Sequence, residues 1–349
     1  MHILVVGGAG YIGSHVCKAI ASEGFIPVTF DNLSTGHRWA VRFGPFIEGD
    51  LESEPDLLRA FEQYKPKAVI HLASLINVRD SIVNPGLYYE KNLFATLVLL
   101  KAMVKAGILN LVFSSTAAIY GVPQTIPIGE NHPKLPLNAY GKTKWAIEGM
   151  MEDFAHAHGL CFAALRYFNA CGADSTGLIG EAHEPETHLI PLIIQTACGL
   201  RPLLQIYGDD YPTPDGTAIR DYVHVLDLAD AHIKALRVLF DKKRSLQVNL
   251  GTGSGYSVKQ IIDAVSLFSH KKIPTQVLPR LGYDSSVLVA DPALAKKVLQ
   301  WEPRHSDLMN IISSAWQWQQ NHPGSRLQQL QKHAEIFSGK AESVQPKGF

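Results

Sequence analysis

Apolar positions in this chain follow two rhythms. Short, mainly apolar runs read as buried strands: HILVV (2–6), IPVTF (26–30), PFIEGD (45–50), KAVIHLA (67–73), LNLVFSST (109–116) and LCFAALRYFN (160–169). Between them, residues 11–22, 55–64, 87–106 and 138–158 carry apolar side chains at helical spacing, and Gly107 closes the third of these segments. This alternation predicts βαβ units, and so a parallel sheet with helices on both faces.

After about residue 170 the pattern loosens. Residues 171–188 and 207–220 are rich in Gly, Asp, Pro and Thr and read as loops. Shorter helices are expected at 190–199, 227–240, 257–269, 292–299 and 307–320, and no internal repeat is visible. The division expected is 1–170 for one domain and 171–322 for a second, smaller α/β domain, with some segments interleaving. A polar tail, 323–349, follows, its last ten or so residues disordered.

Composition narrows the class. Lys plus Arg and Asp plus Glu both number 32, so there is no net charge to form a broad basic face, which argues against nucleic acid as a partner. Cys17, Cys161, Cys171 and Cys198 are widely spaced, which suits a reducing, cytoplasmic location and suggests neither a disulfide framework nor a zinc site. The 15 histidines are dispersed, and no metal-ligand spacing is read among them. No apolar stretch approaches the ~20 residues that span a bilayer, so no membrane association is expected.

The turn after the first strand, GGAGYIG, places Gly7, Gly10 and Gly13 where the next helix begins. Gly7 permits a tight turn, Gly10 lets backbone approach a pyrophosphate, and Gly13 lets the helix pack closely on the sheet. Asp31 ends the second strand, where a carboxylate hydrogen-bonds a ribose 2′-OH and repels a 2′-phosphate. The reading is a Rossmann-type doubly wound α/β sheet with NAD, rather than NADP, as cofactor. Asp50, after the third strand, is placed to reach the adenine edge, or is simply a solvated loop carboxylate.

NAYGKTKWAIE (138–148) puts Tyr140 and Lys144 one turn apart on one helix face. A Tyr-x-x-x-Lys pair alone arises often by chance. Beside a dinucleotide turn and a strand-end Ser-Ser-Thr it reads as a base and the charge that tunes it. An ammonium and a cationic nicotinamide both favour the phenolate, which can then take a proton from a substrate hydroxyl as carbon gives up hydride. Thr116 is placed to share a hydrogen bond with that hydroxyl. Ile147, Met150, Met151 and Phe154 read as core or subunit contact. With a similar face on 87–106, they suggest a homodimer through a helical bundle.

GGAGYIGSH, FDNLSTG, AVIHLA, YYEKN, FSSTAAIYG, NAYGKTK, LRYFNACGAD, ETHLIPL, IYGDDYPTPDGTAIRDYVHVLDLADAH and VNLGTGSGYSV together resemble the extended short-chain dehydrogenase/reductase family, and within it the UDP-sugar 4-epimerases, over residues 1 to about 320. The resemblance implies interconversion of UDP-glucose and UDP-galactose. Tyr140 deprotonates sugar O4 with help from Thr116, hydride passes from C4 to a tightly held NAD, and the 4-keto sugar turns and receives it on the other face. It implies NAD contacts from Tyr11, Ile12, Asp31, Asn32, Leu33, Ser34, Thr35, Gly36, Asp50, Leu51, Leu72, Ala73, Ser74, Asn92, Ser114, Tyr140, Lys144 and Phe168. UDP-sugar contacts are implied from Asn169, His188, Leu189, Gln205, Ile206, Tyr207, Arg220, Arg280 and Asp284. Arg220 suits a pyrophosphate as a cationic fork, the alternative being an ion pair with Asp221. Tyr207 packs on uracil or belongs to the core.

The chain departs from the family's pattern at several points. Ile76 stands where many epimerases carry a lysine near the cofactor diphosphate. His188 stands where some carry asparagine. Arg280 and Asp284 are four apart where Arg-x-Gly-Asp is usual, which puts Leu288 at a wall position that limits sugar size. Three other functions stand against this one. A 4,6-dehydratase needs an acid–base pair after the strand-end threonine, and Ala117 and Ala118 stand there instead. A 4-epimerase of UDP-N-acetylglucosamine, UDP-glucuronate or UDP-xylose/arabinose remains open. A non-catalytic NAD-binding regulator has no use for the Tyr140–Lys144 pair.

Overall fold

The computed structural model describes residues 1–282 and 284–322, so the expected tail lies outside the described residues. The first half runs β1 (His2–Val6), α1 (Tyr11–Ser22), β2 (Ile26–Asp31), β3 (Phe46–Glu48), α2 (Glu54–Tyr64), β4 (Ala68–His71), α3 (Val78–Val83), α4 (Pro85–Tyr88), a π-helical turn (Tyr89–Phe94), α5 (Ala95–Lys105), β5 (Asn110–Thr116), α6 (Ala139–His158) and β6 (Cys161–Tyr167). Local signals set the ends of these elements. Ser53 Oγ accepts from Asp56 N at the start of α2, and Asn138 Oδ1 accepts from Gly141 N at 2.8 Å at the start of α6. Gly159 ends α6 with φ +73°, a left-handed cap that glycine adopts without steric cost.

The second half adds β7 (Asn169–Cys171), α7 (Leu189–Ala197), β8 (Leu204–Tyr207), β9 (Ile219–Arg220), β10 (Tyr222–His224), α8 (Val225–Lys242), β11 (Leu246–Leu250), β12 (Tyr256–Ser257), α9 (Val258–Ser269), β13 (Thr275–Leu278), β14 (Val287–Leu288), α10 (Ala293–Leu299) and α11 (Leu308–Asn321). The main sheet has seven parallel strands in the order β11-β6-β5-β4-β1-β2-β3, so a strand from the second half forms one edge. Helices α1, α8 and α10 cover one face of it, and α2, α5 and α6 the other. Smaller sheets, β10-β7, β12-β9-β14 and β13-β8, and helices α7, α9 and α11 with their own core make up the rest.

Two departures from the sequence pattern have physical causes. No strand is read at 246–250, because Gln247 and Asn249 interrupt its apolar run. Both side chains are taken up by polar partners at the sheet edge. The helix expected over 87–106 is instead α4, the π turn and α5, preceded by α3, which Asn77 caps through Asp80 N. Pro85 opens α4, and the π turn leads into α5, whose apolar face lies in the core. Ile147 and Met151 are buried in that core, while Met150 and Phe154 are partly buried against it. No helix among the described residues is long and apolar enough to cross a membrane.

Candidate active site

The strand order reverses between β1 and β4, and the carboxyl ends of these neighbours meet there. Gly7 turns with φ +82°, and a Cβ on it would lie 2.5 Å from Ala73 N. A Cβ on Gly13 would lie 2.1 Å from Gly7 O, so only glycine lets α1 seat this closely. Gly10 caps α1, and an added Cβ there would meet only Gly7 O, at 3.4 Å. Its outward side is open, and the first turn of α1 carries no acidic residue to oppose an anion. This cradle fits a dinucleotide pyrophosphate. Tyr11, which opens α1, is buried, with its hydroxyl donating to Gly172 O at 2.6 Å.

Asp31 accepts from Ala9 N at 3.0 Å and Leu33 N at 2.9 Å. Burial raises its pKa, and the two N–H donors oppose that shift. Gly36 packs on this carboxylate, where a Cβ would come within 2.9 Å of Oδ1. Asn32, Ser34 and Thr35 are exposed between, and Asn32 Nδ2 donates to Asp50 at 3.2 Å. Leu51 and Ser114 are buried, whereas Ile76 on the loop after β4 is 41 % exposed. Asn92 does not present a free amide. Its Oδ1 accepts from Leu75 N at 2.8 Å, and its Nδ2 faces Leu75 O at 3.0 Å and Thr143 Oγ1 at 3.4 Å. It therefore clasps the loop after β4 to α6.

At the end of β5, Lys144 is 2 % exposed. Its Nζ donates to Ser114 O at 2.8 Å and Ser114 Oγ at 3.4 Å. Nζ lies 4.7 Å from the Phe113 ring centre and 6.0 Å from that of Tyr140. Burial brings the Lys144 pKa down to about 7 and raises that of Tyr140, against which a hydrogen bond from Thr116 acts. The sequence reading expects Lys144 to pull Tyr140 down, yet in this structure desolvation dominates both groups. Burial disfavours the charged form of each, and an added positive charge there favours the phenolate.

Behind this pair lies a buried network that the sequence reading misses. Arg166, 1 % exposed, donates to both oxygens of Glu148 (3.0 and 2.7 Å), to Tyr120 Oη (3.0 Å) and to Gln247 Oε1 (2.7 Å). Ser115 Oγ donates to Glu148 at 2.5 Å, and Tyr120 donates to Asn249 at 2.6 Å. Glu148 sits one turn beyond Lys144, so the network fixes the face of α6 that carries Lys144 and Tyr140 against β5. The available signal was an arginine inside an apolar strand run.

The expected sugar-nucleotide residues are less united. Asn169 opens β7, and Phe168 packs with Leu288 against Tyr120 and Ile128. Arg220 pairs with Asp284, not with Asp221. Asp221 is fully buried and accepts from Thr252, Gly253 and Ala290. Arg280 turns instead to Asp210 (3.4 Å) and the Tyr211 ring. Ile206 is buried in the second core and Leu189 packs against that core. Exposed Gln205 accepts from the Tyr207 hydroxyl at 2.8 Å. Arg79 of α3 lies 3.9 Å over the Tyr207 ring, a guanidinium contact that the sequence pattern does not foretell. His188 caps α7 with its Nδ1 turned to Glu181. It joins Glu181, His183 and Glu186 in a cluster where the sequence reading finds no ligand spacing.

Comparison with known proteins supplies the class. The model of the NAD dependent epimerase/dehydratase family matches residues 3–251. The UDP-glucose 4-epimerase of Rhizobium leguminosarum bv. trifolii is 48 % identical over 316 residues, spanning 90 % of this chain and 96 % of that protein. The structure of UDP-glucose 4-epimerase from Brucella ovis in complex with NAD matches with a TM-score of 0.89 at 48 % identity, covering 90 % of this chain and 97 % of that one. The structure of the Thermotoga maritima enzyme with UDP-glucose matches at 0.80 and 31 % identity, covering 92 % and 99 %. Matched over most of its length by the family and nearly end to end by these relatives, the chain belongs to the NAD dependent epimerase/dehydratase family.

Proposed function

We propose that this chain is an NAD-dependent 4-epimerase that interconverts UDP-glucose and UDP-galactose. The observation that carries the reading is that Tyr140, Lys144 and Thr116 lie together at the carboxyl end of β5, the same end of the sheet as the open glycine turn after β1. The chain that makes this arrangement is 44–48 % identical over 90–93 % of its length to proteins named UDP-glucose 4-epimerase.

Gly7, Gly10 and Gly13 hold the cofactor pyrophosphate, and Asp31 its ribose. NAD, when bound, supplies the hydride acceptor and returns the hydride. Thr116 orients the sugar O4 hydroxyl, and Tyr140 takes its proton as the 4-keto sugar forms and gives it back as the sugar is reduced on its other face. Lys144, anchored by Ser114, keeps a positive charge within reach of the phenol. Arg220 and Asn169 grip the nucleotide diphosphate, so the sugar can turn while its carrier stays. Ala117 and Ala118 offer no proton-transfer group, which keeps the keto sugar from losing water.

The test is to give the purified chain UDP-galactose with no added cofactor and follow the sugar by NMR. UDP-glucose should appear and settle at an equilibrium mixture. Turnover of another UDP sugar alone would move the substrate, and no turnover even with added NAD would overturn the reading.

A homodimer accompanies this function. α6 packs beside α3, α4 and the π turn, whose outer faces leave Val83 (77 % exposed), Phe94 (54 %) and Trp145 (48 %) in solvent, and a second copy would cover them. Sedimentation velocity should give twice the chain mass, and a monomer at micromolar concentration would refute it. The four unpaired cysteines suit the cytoplasm, where we place the protein.

A further inference from the structure

We propose that the loop before α7 is a binding site for a zinc-type divalent ion, with Glu181, His183, Glu186 and His188 as its four ligands. The four donors arise within eight residues and converge. His183 Nδ1 lies 3.0 Å from Glu181 Oε1, and His188 Nδ1 touches the same oxygen. Glu186 Oε1 lies 3.8 Å from His183 Nδ1 and 4.0 Å from His188 Nδ1. All four donor atoms fall within 4.8 Å of one another. Bonds of 2.0–2.2 Å in a tetrahedron separate neighbouring ligand atoms by about 3.4 Å, so small side-chain shifts bring this set into coordination.

Charge points the same way. Both carboxylate side chains are 5 % exposed, and among the described residues neither pairs with a lysine or arginine. Two buried carboxylates held this close need about two positive charges to be stable. One divalent ion supplies both and leaves the imidazoles neutral as ligands, whereas without it His183 and His188 must carry the charge themselves. Two nitrogens and two oxygens suit zinc and its neighbours, not calcium or magnesium, which take oxygen alone.

Side chains from outside the loop also hold its backbone in place. Glu181 O accepts from Trp318 Nε1 of α11 at 2.7 Å, and Ala182 O faces His37 Nε2 at 2.6 Å. Gly180 lies flat on the Trp318 indole, where a Cβ would be 2.3 Å from the ring. Glu186 Oε1 accepts from Thr187 N at 2.7 Å and His188 N at 2.8 Å, which fixes its rotamer. The Tyr11 ring stands edge-on to His183 at 6.2 Å. With four protein ligands the site is closed, and its role is structural: it pins the loop that joins the glycine turn, α7 and α11. The inference does not depend on which sugar is turned over.

The experiment measures metal directly. The chain purified from zinc-supplemented medium and passed through gel filtration should carry one zinc by mass spectrometry. After chelation its melting temperature should fall, and zinc chloride should restore it. Cobalt(II) added to the chelated protein should give the visible absorption of a tetrahedral site. His183→Ala should reduce bound zinc from one per chain to none, as should Glu181→Ala if that variant folds. Wild-type protein that is folded by circular dichroism, but neither retains zinc nor takes up cobalt(II), would overturn the proposal and leave the cluster as two imidazolium–carboxylate pairs.

Discussion

Replacing Tyr140 by Phe is expected to lower turnover of UDP-galactose by ~10²–10⁴-fold, the range for removing a positioned acid–base group. Bound dinucleotide and fold should be unchanged, because the ring stays and only the hydroxyl goes. Lys144 keeps its bonds to Ser114, and Asn138 still caps α6. The check is kcat under saturating substrate, with cofactor content read by absorbance on the same sample. A variant within about tenfold of wild type would show that another group moves the proton. A loss of cofactor together with activity would assign Tyr140 to binding instead.

The second large effect concerns a residue that touches no substrate. Glu148→Ala should cost about 3–5 kcal/mol of stability, because it leaves the Arg166 guanidinium buried without its counter-charge. Arg166 is 1 % exposed and gives two hydrogen bonds to that carboxylate, and Ser115 gives a third. The double variant Glu148→Ala/Arg166→Met should recover much of the loss, since removing both charges also removes the cost of desolvating them. Denaturant unfolding would show this as a lower midpoint for the single variant at unchanged slope. A shift worth under about 1 kcal/mol would mean that water reaches the site and that the network does not hold α6.

The sequence made local features legible and left most long-range ones hidden. Strands β1, β4 and β5 are apolar on both faces, which only a sheet covered on both sides requires, so their runs stand out. The glycine turn could be read position by position, because φ and close approach are properties of the local backbone. Strand β11 could not, since Gln247 and Asn249 look solvent-facing until Arg166 and Tyr120 are placed beside them. The same holds for Arg79 over Tyr207 and for the exchange of partners between Arg220, Asp284 and Arg280. These contacts span stretches of chain whose path no periodicity encodes. The cluster at 181–188 is a different case. Its residues are close in sequence, but it lies in an irregular loop where side-chain direction cannot be inferred from spacing.

The position of β11 has a consequence for biosynthesis. The edge strand at 246–250 pairs with β6, and α8 lies across α1. A ribosome that has released only the first 170 residues has produced six of the seven strands, with the β6 edge unpaired and the apolar side of α1 uncovered. Vectorial folding of the amino-terminal half therefore stops short of a finished unit until some 80 further residues emerge. During that interval the nascent chain presents the kind of open, apolar strand edge that molecular chaperones recognise.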